Sequence, residues 1–123
     1  MQCLVIDQNS ESRAIISAML GELGFACCFL TEGADASPLS KVAFALIAVR
    51  DQSADLSAIR QLTQRVGGRP AIPVICFGDF VSIESVERCI VAGASDVLMR
   101  PFDVELLAFR LQQLGILNSS IAA

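Results

Sequence analysis

Five short, largely apolar runs recur along this chain, and the segments between them carry helical spacing. The runs are residues 3–6, 25–30, 44–49, 73–77 and 96–99. A run that is apolar at successive positions, instead of alternating with polar residues, reads as a strand buried on both faces. Such strands, joined by helices, specify a parallel sheet covered on each side. Right-handed crossovers make it a doubly wound α/β fold.

The connecting segments carry their own punctuation. After the first run, Asn9 or Ser10 can cap a helix in which Ile15, Ile16, Met19, Leu20 and Leu23 recur at helical spacing, with Gly24 at its end. Residues 31–37 are turn-like, and Ser37 and Pro38 open a short second helix. Residues 51–57 read as polar loop and cap, followed by a helix on Ile59, Leu62 and Val66 that Gly67 and Gly68 stop. Ser82 caps a helix carrying Ile83, Val86 and Ile90, with Gly93 at its end. Asp103 caps the last helix, in which Val104, Leu107, Leu111 and Leu114 line one face. Phe102 and Leu107 stand at hydrophobic-staple spacing across that cap.

At 123 residues the chain suits one domain, expected over residues 1–117, with 118–123 as a flexible tail or the start of a linker. Apolar residues make up 54% and charged residues 18%, so part of the surface is expected to be apolar and covered by a partner. The formal net charge of −4 argues against nucleic acid or an anionic membrane as the main target, since both call for a basic face. No basic leader precedes the first strand and no apolar run is long enough to span a bilayer, so a cytoplasmic location is the expectation. The five cysteines, Cys3, Cys27, Cys28, Cys76 and Cys89, are odd in number and form no CxxC pair; they read as small hydrophobes in a reducing compartment. The chain has no histidine, which removes imidazole acid–base catalysis, histidine-assisted nucleophiles and histidine-ligated metals.

In open parallel sheets, function collects at the carboxyl ends of the strands. Here those ends present Asp7 and Gln8, Arg50 and Asp51, Gly78 and Asp79, and Arg100 and Pro101. Together with the stretches CLVIDQNSESR, PVICFG and AGASDVLMRPFDVELL, they make the chain resemble the receiver domain of bacterial two-component response regulators, the CheY-like family, over almost its whole length. The resemblance implies a flavodoxin-like, five-stranded parallel sheet of order 2-1-3-4-5 with helices on both faces. It also implies a phosphorylation pocket built from five features. These are paired acids after the first strand for a divalent metal, an acceptor Asp after the third and a Thr or Ser after the fourth. An aromatic in the fifth strand and a Lys before a Pro, usually cis, complete the set.

Set against that pattern, Asp7 matches the first acid but Gln8 replaces the second. Arg50 falls at the acceptor, Gly78 at the hydroxyl residue, Val97 at the aromatic and Arg100 at the Lys, while Pro101 is kept. A hard cation needs several oxygen ligands, and a guanidinium in its place repels it. Arginine also stays protonated and is no nucleophile. The expected substitute is an internal ion pair from Arg50 to Asp7, with Arg100 competing, in which a carboxylate can be gripped directionally. Each residue also has a plainer role: Asp7 as a helix-approach acid, Arg50 and Arg100 as solvated charges, Gly78 and Asp79 as a turn. The joint loss of acceptor, hydroxyl and aromatic favours the degenerate pocket.

The leading expectation is therefore a receiver without a phosphoacceptor, acting as a protein-interaction module: not an enzyme, and with no cofactor. Two alternatives stand beside it. In one, a register shift makes Asp51 a working acceptor, with Mg²⁺ held by Asp7 and Asp51. In the other, Arg50 and Arg100 clamp a small anionic ligand. In the family, partners and dimers use the face built from the helix after the fourth strand, the fifth strand and the last helix. Here that face is expected to include Ile83, Val86, Glu87, Ile90, Leu98, Glu105, Phe109 and Gln112. Phe109 lies off the last helix's apolar stripe and is a candidate exposed anchor, or else core packing. The expected partners are proteins of a signalling pathway: a histidine kinase, a phosphotransferase or an output domain. A homodimer through the last helix is plausible on symmetry grounds, and neither nucleic acid nor membrane is expected as a partner.

Overall fold

The computed structural model describes residues 1–29, 42–50, 52–63, 72–80 and 82–117, with residues 52–55 described by their backbone alone. Within them the elements run β1 (Gln2–Ile6), α1 (Ser10–Glu22), β2 (Ala26–Phe29), β3 (Val42–Ala48), α2 (Gln52–Thr63), β4 (Val74–Gly78), α3 (Ile83–Ala92), β5 (Asp96–Met99) and α4 (Val104–Gln113). The strands form one sheet of order β2-β1-β3-β4-β5, and every neighbouring pair is parallel. The expected doubly wound architecture and strand order are both present.

Strand alternation sorts the core into two layers. Val5, Leu46, Phe77 and Leu98 face α1 and α4, meeting Ile16, Leu20, Leu107 and Leu111. Leu4, Ile47, Cys76 and the half-buried Val97 face α2 and α3, meeting Ile59, Leu62, Cys89 and Ala92. All five residues of β4 are buried, as are residues 44–48 of β3, so the central strands have no polar face to alternate. Each large side chain sealed there contributes roughly 1.5–3 kcal/mol of transfer free energy, which is why apolar runs and not alternating ones occupy the centre. Phe25 and Phe44 add an edge-to-face contact, ring centroids 5.0 Å apart.

The helix starts follow their caps. Asn9 accepts from the backbone N–H of Ser12, Ser82 from that of Ser85 and Asp103 from that of Leu106. Phe102 packs into the same cluster as Leu107, as the staple spacing predicts.

Several expectations need correction. α2 begins at Gln52, where a polar loop was expected through Ser57; Leu56 extends the apolar stripe of Ile59 and Leu62 by one turn and packs on the same layer. In α1, Ile15 is exposed, and the buried stripe is Ile16 and Leu20. β2 is an edge strand, so Cys27 and Cys28 are only half-buried and Phe29 is exposed. In α3 the buried face is Ser85, Cys89 and Ala92, which the apolar spacing of Ile83, Val86 and Ile90 does not pick out. A Cβ on Gly93, whose φ is +123°, would stand 2.5 Å from the Thr63 hydroxyl at the end of α2. The expected helix at Ser37 and Pro38, the stop at Val66, Gly67 and Gly68, and the tail 118–123 lie outside the described residues.

Candidate functional site

Residues at the carboxyl ends of β1, β3 and β5 converge on one carboxylate. Asp7 follows β1 directly, and its side chain is 0% exposed. Its Oδ1 accepts the backbone N–H of Asn9 at 3.0 Å, which ties it to the N-cap of α1. The same oxygen accepts Nη2 of Arg50, two residues beyond β3, at 2.8 Å. β1 and β3 are sheet neighbours with Ile6 paired to Ile47, so their ends necessarily meet. The ion pair expected between positions 7 and 50 is present.

Arg100 approaches the other side. Its Nη2 stands 3.8 Å from Asp7 Oδ2, a charge contact without a hydrogen bond. That nitrogen donates to the Ser12 hydroxyl at 2.8 Å, and the guanidinium lies over the ring of Phe77, 5.1 Å from its centroid. Oδ2 is buried and has no hydrogen-bond partner among the described residues. One carboxylate is thus shared between two guanidiniums and is not forked by a single arginine. The Arg100–Pro101 peptide bond is cis, as the resemblance implied.

Among the described residues the remaining positions hold no reactive group. Gln8 is exposed, and Val97 is half-buried against the α2–α3 layer. Gly78 is buried at the end of β4, and a Cβ built there would lie 2.8 Å from the carbonyl oxygen of Val49. The hydroxyl is therefore missing from a position where the backbone leaves no room for a side chain. Asp51 lies outside the described residues. The described residues alone make a poor ligand set for a hard dication. Among the described residues no group of three potential ligands gathers, and the one central carboxylate already has an oxygen on a guanidinium.

The residues named for a partner face divide by exposure. Ile83 is 78% exposed and Phe109 52%, and Ile90, Glu87 and Glu105 are exposed as well. Val86 and Gln112 are half-buried. Leu98 is a correction: at 1% exposure it belongs to the core under α1 and α4, because strand alternation turns it inward between Val97 and Met99. Met99, Leu106 and Val91 are exposed apolar residues on the same three elements that the sequence reading missed. For Val91 and Leu106 the signal was the second apolar stripe that α3 and α4 carry beside their buried ones. Ser12 and Phe77 as partners of Arg100, and the Asp96–Arg110 ion pair at 3.2 Å, were also missed, since each joins elements only the tertiary fold brings together.

Comparison with known proteins places this geometry. The profile of the family described as flagellar regulatory protein FleQ matches residues 2–98. The transcriptional regulatory protein ZraR of Salmonella typhimurium is 28% identical over 111 residues, 89% of this chain but 25% of that protein, so the chain spans about a quarter of such a regulator. The receiver domain of the sensor histidine kinase PA1611 from Pseudomonas aeruginosa, solved with magnesium in its active-site cleft, superimposes with a TM-score of 0.70. It is 26% identical, with 91% of this chain and 94% of that one covered. A response-regulator receiver domain from Bermanella marisrubri has the same fold, with a TM-score of 0.74 at 24% identity over 93% and 97% of the two chains.

Proposed function

This chain belongs to the flagellar regulatory protein FleQ family and is a receiver domain of the two-component type, and from that premise we propose that its phosphorylation pocket is closed by its own arginines and that it works as a phosphorylation-independent, non-catalytic interaction module. The observation that carries the proposal is the 2.8 Å contact of Arg50 with Asp7. Arg50 puts a positive charge where the family pattern has an acceptor carboxylate. A fixed guanidinium on Asp7 balances the charge that a metal would otherwise balance. The backbone at Gly78 supports the same reading, since it excludes the side chain that would bond a phosphoryl oxygen.

An interaction role rests on the uncovered apolar side chains of α3, β5 and α4, namely Ile83, Ile90, Met99 and Phe109, with Glu87 and Glu105 beside them. A protein partner fits this surface better than nucleic acid does, given the net charge of −4. Such a partner is another component of a signalling pathway, an output domain, or a second copy of the chain. Among the described residues no helix is long and apolar enough to cross a membrane.

The test is intact-mass spectrometry after incubation with Mg²⁺ and a small-molecule phosphoryl donor. The proposal predicts no added phosphoryl group. A stable or turning-over phosphoryl adduct, lost in Asp51→Asn, would instead establish the competing reading of a Mg²⁺-dependent acceptor at Asp51.

A further inference from the structure

Cys3 and Cys27 face each other at the edge of the sheet. β1 and β2 run parallel, and their register pairs Cys3 directly with Cys27. Both side chains lie on the layer that α1 and α4 cover, and the Cys3 thiol donates to the Cys27 sulfur at 3.8 Å. Cys28 alternates to the opposite layer, so of the three cysteines at this edge only Cys3 and Cys27 share a face. Neighbouring strands lie about 4.7–4.9 Å apart, inside the range of about 4.4–6.8 Å that a disulfide spans between Cα atoms. Bringing the sulfurs together is a change that side-chain rotation supplies with the strands in place.

The two thiols are unequal. Cys3 is fully buried, and that burial pushes its thiol well above the ordinary thiol range, with Cys27 beside it adding to the rise. Cys27 is half-buried on the outermost strand, so a small reagent reaches it first. Among the described residues β2 has its only ladder with β1, and a covalent link between them fastens the edge of the sheet.

We propose that Cys3 and Cys27 form a redox modification site, in which a hydroperoxide converts the pair to a disulfide that ties β2 to β1. The Cys27 sulfur attacks the terminal peroxide oxygen, the O–O bond breaks, and the other oxygen leaves as alcohol or water with the thiol proton. Cys27 becomes a sulfenic acid, giving up the two electrons that the peroxide gains. The Cys3 sulfur then attacks the Cys27 sulfur, the S–O bond breaks, and the hydroxyl departs as water with the Cys3 proton. A dithiol reverses the bond by exchange through a mixed disulfide, so in reducing surroundings the link is transient. The pair stands near the start of β1, whereas Asp7 follows its end, and the site does not rest on the state of the phosphorylation pocket.

The experiment treats the whole reduced chain with tert-butyl hydroperoxide, blocks it with N-ethylmaleimide in denaturant and maps its tryptic peptides. Two of the five thiols are expected to escape alkylation, with residues 1–13 linked to residues 14–41, and dithiothreitol is expected to restore both. Cys28→Ala is expected to keep the link, and Cys3→Ala and Cys27→Ala to lose it. Amide hydrogen exchange across Ala26–Phe29 is expected to slow several-fold in the linked chain. Five alkylated thiols, a Cys27–Cys28 bond, a link between chains or sulfinic acid without a link would each overturn the pairing. Unchanged exchange in the linked chain would overturn the fastening of β2. Should Cys3→Ala fail to fold, the linked peptides of the parent and of Cys28→Ala decide the outcome.

Discussion

Replacing Arg50 by Gln removes the charge that faces a carboxylate with no exposure of its own. At an effective dielectric of about 20, unit charges at 2.8 Å attract by roughly 6 kcal/mol and at 3.8 Å by roughly 4. Those figures are upper bounds here, because the Arg50 side chain is 46% exposed and solvent screens it. Breaking a fully buried pair costs about 3–5 kcal/mol and a surface pair about 0–1. This pair is buried at one end only, and Arg100 remains beside Asp7 to take up part of the charge. The expected loss is about 1–2 kcal/mol, a fall in Tm of roughly 3–8 °C for a domain of this size. The assay is thermal and urea unfolding of Arg50→Gln, Asp7→Asn and the double variant, read as a cycle. A coupling of about 1 kcal/mol or more is expected, shrinking at high salt because one partner is exposed. Coupling under about 0.3 kcal/mol would refute the ion pair as the element that closes the pocket.

Restoring the missing hydroxyl as Gly78→Thr should destabilise the fold by about 1–3 kcal/mol in urea unfolding, since a Cβ there meets the Val49 carbonyl oxygen at 2.8 Å; a neutral or stabilising result would show that the backbone yields easily. Leu98→Ala should cost about 2–5 kcal/mol, whereas Phe109→Ala should stay within about 0.5 kcal/mol, separating a core residue from a surface anchor. Burial, with Cys27 paired beside it at an Sγ–Sγ distance of 3.8 Å, pushes the Cys3 thiol well above the ordinary thiol range. In the unfolded chain Cys3 loses its proton from about pH 8.5, while the folded chain keeps it, so stability is intact below that value and falls as pH rises above it. The Tm of the parent should therefore drop between about pH 9 and 10 more than that of Cys3→Ala, and equal slopes would count against the shift.

The sheet was legible because its signal is local. Residues 44–47 and 74–77 are buried without exception, and no half-exposed strand carries such a run. The caps at Asn9, Ser82 and Asp103 were legible for the same reason. The buried face of α3 was not. Ile83 and Ile90 repeat at helical spacing, and so do Ser85, Cys89 and Ala92, so periodicity alone cannot choose between them. The close approach of Thr63 to Gly93 belongs to the tertiary structure and favours the small stripe. At the site, the meeting of Asp7 with Arg50 followed from two neighbouring strand ends. The bond from Arg100 to Ser12 spans 88 residues and joins the end of β5 to the first turn of α1, which only the tertiary fold brings together. The loss of a side chain at Gly78 was visible in the sequence, but the nearness of the Val49 carbonyl was not.

The most direct test of a pocket closed by its own arginines is a thermal melt with and without Mg²⁺ plus beryllofluoride, the phosphoryl mimic. A ligand that binds only the native state raises the melting temperature by mass action. The closed pocket predicts the same Tm in both conditions, within about 1 °C, for the parent and for Asp51→Asn. A metal-dependent rise of several degrees in the parent, absent in Asp51→Asn, would contradict it and make the chain a working phosphoacceptor.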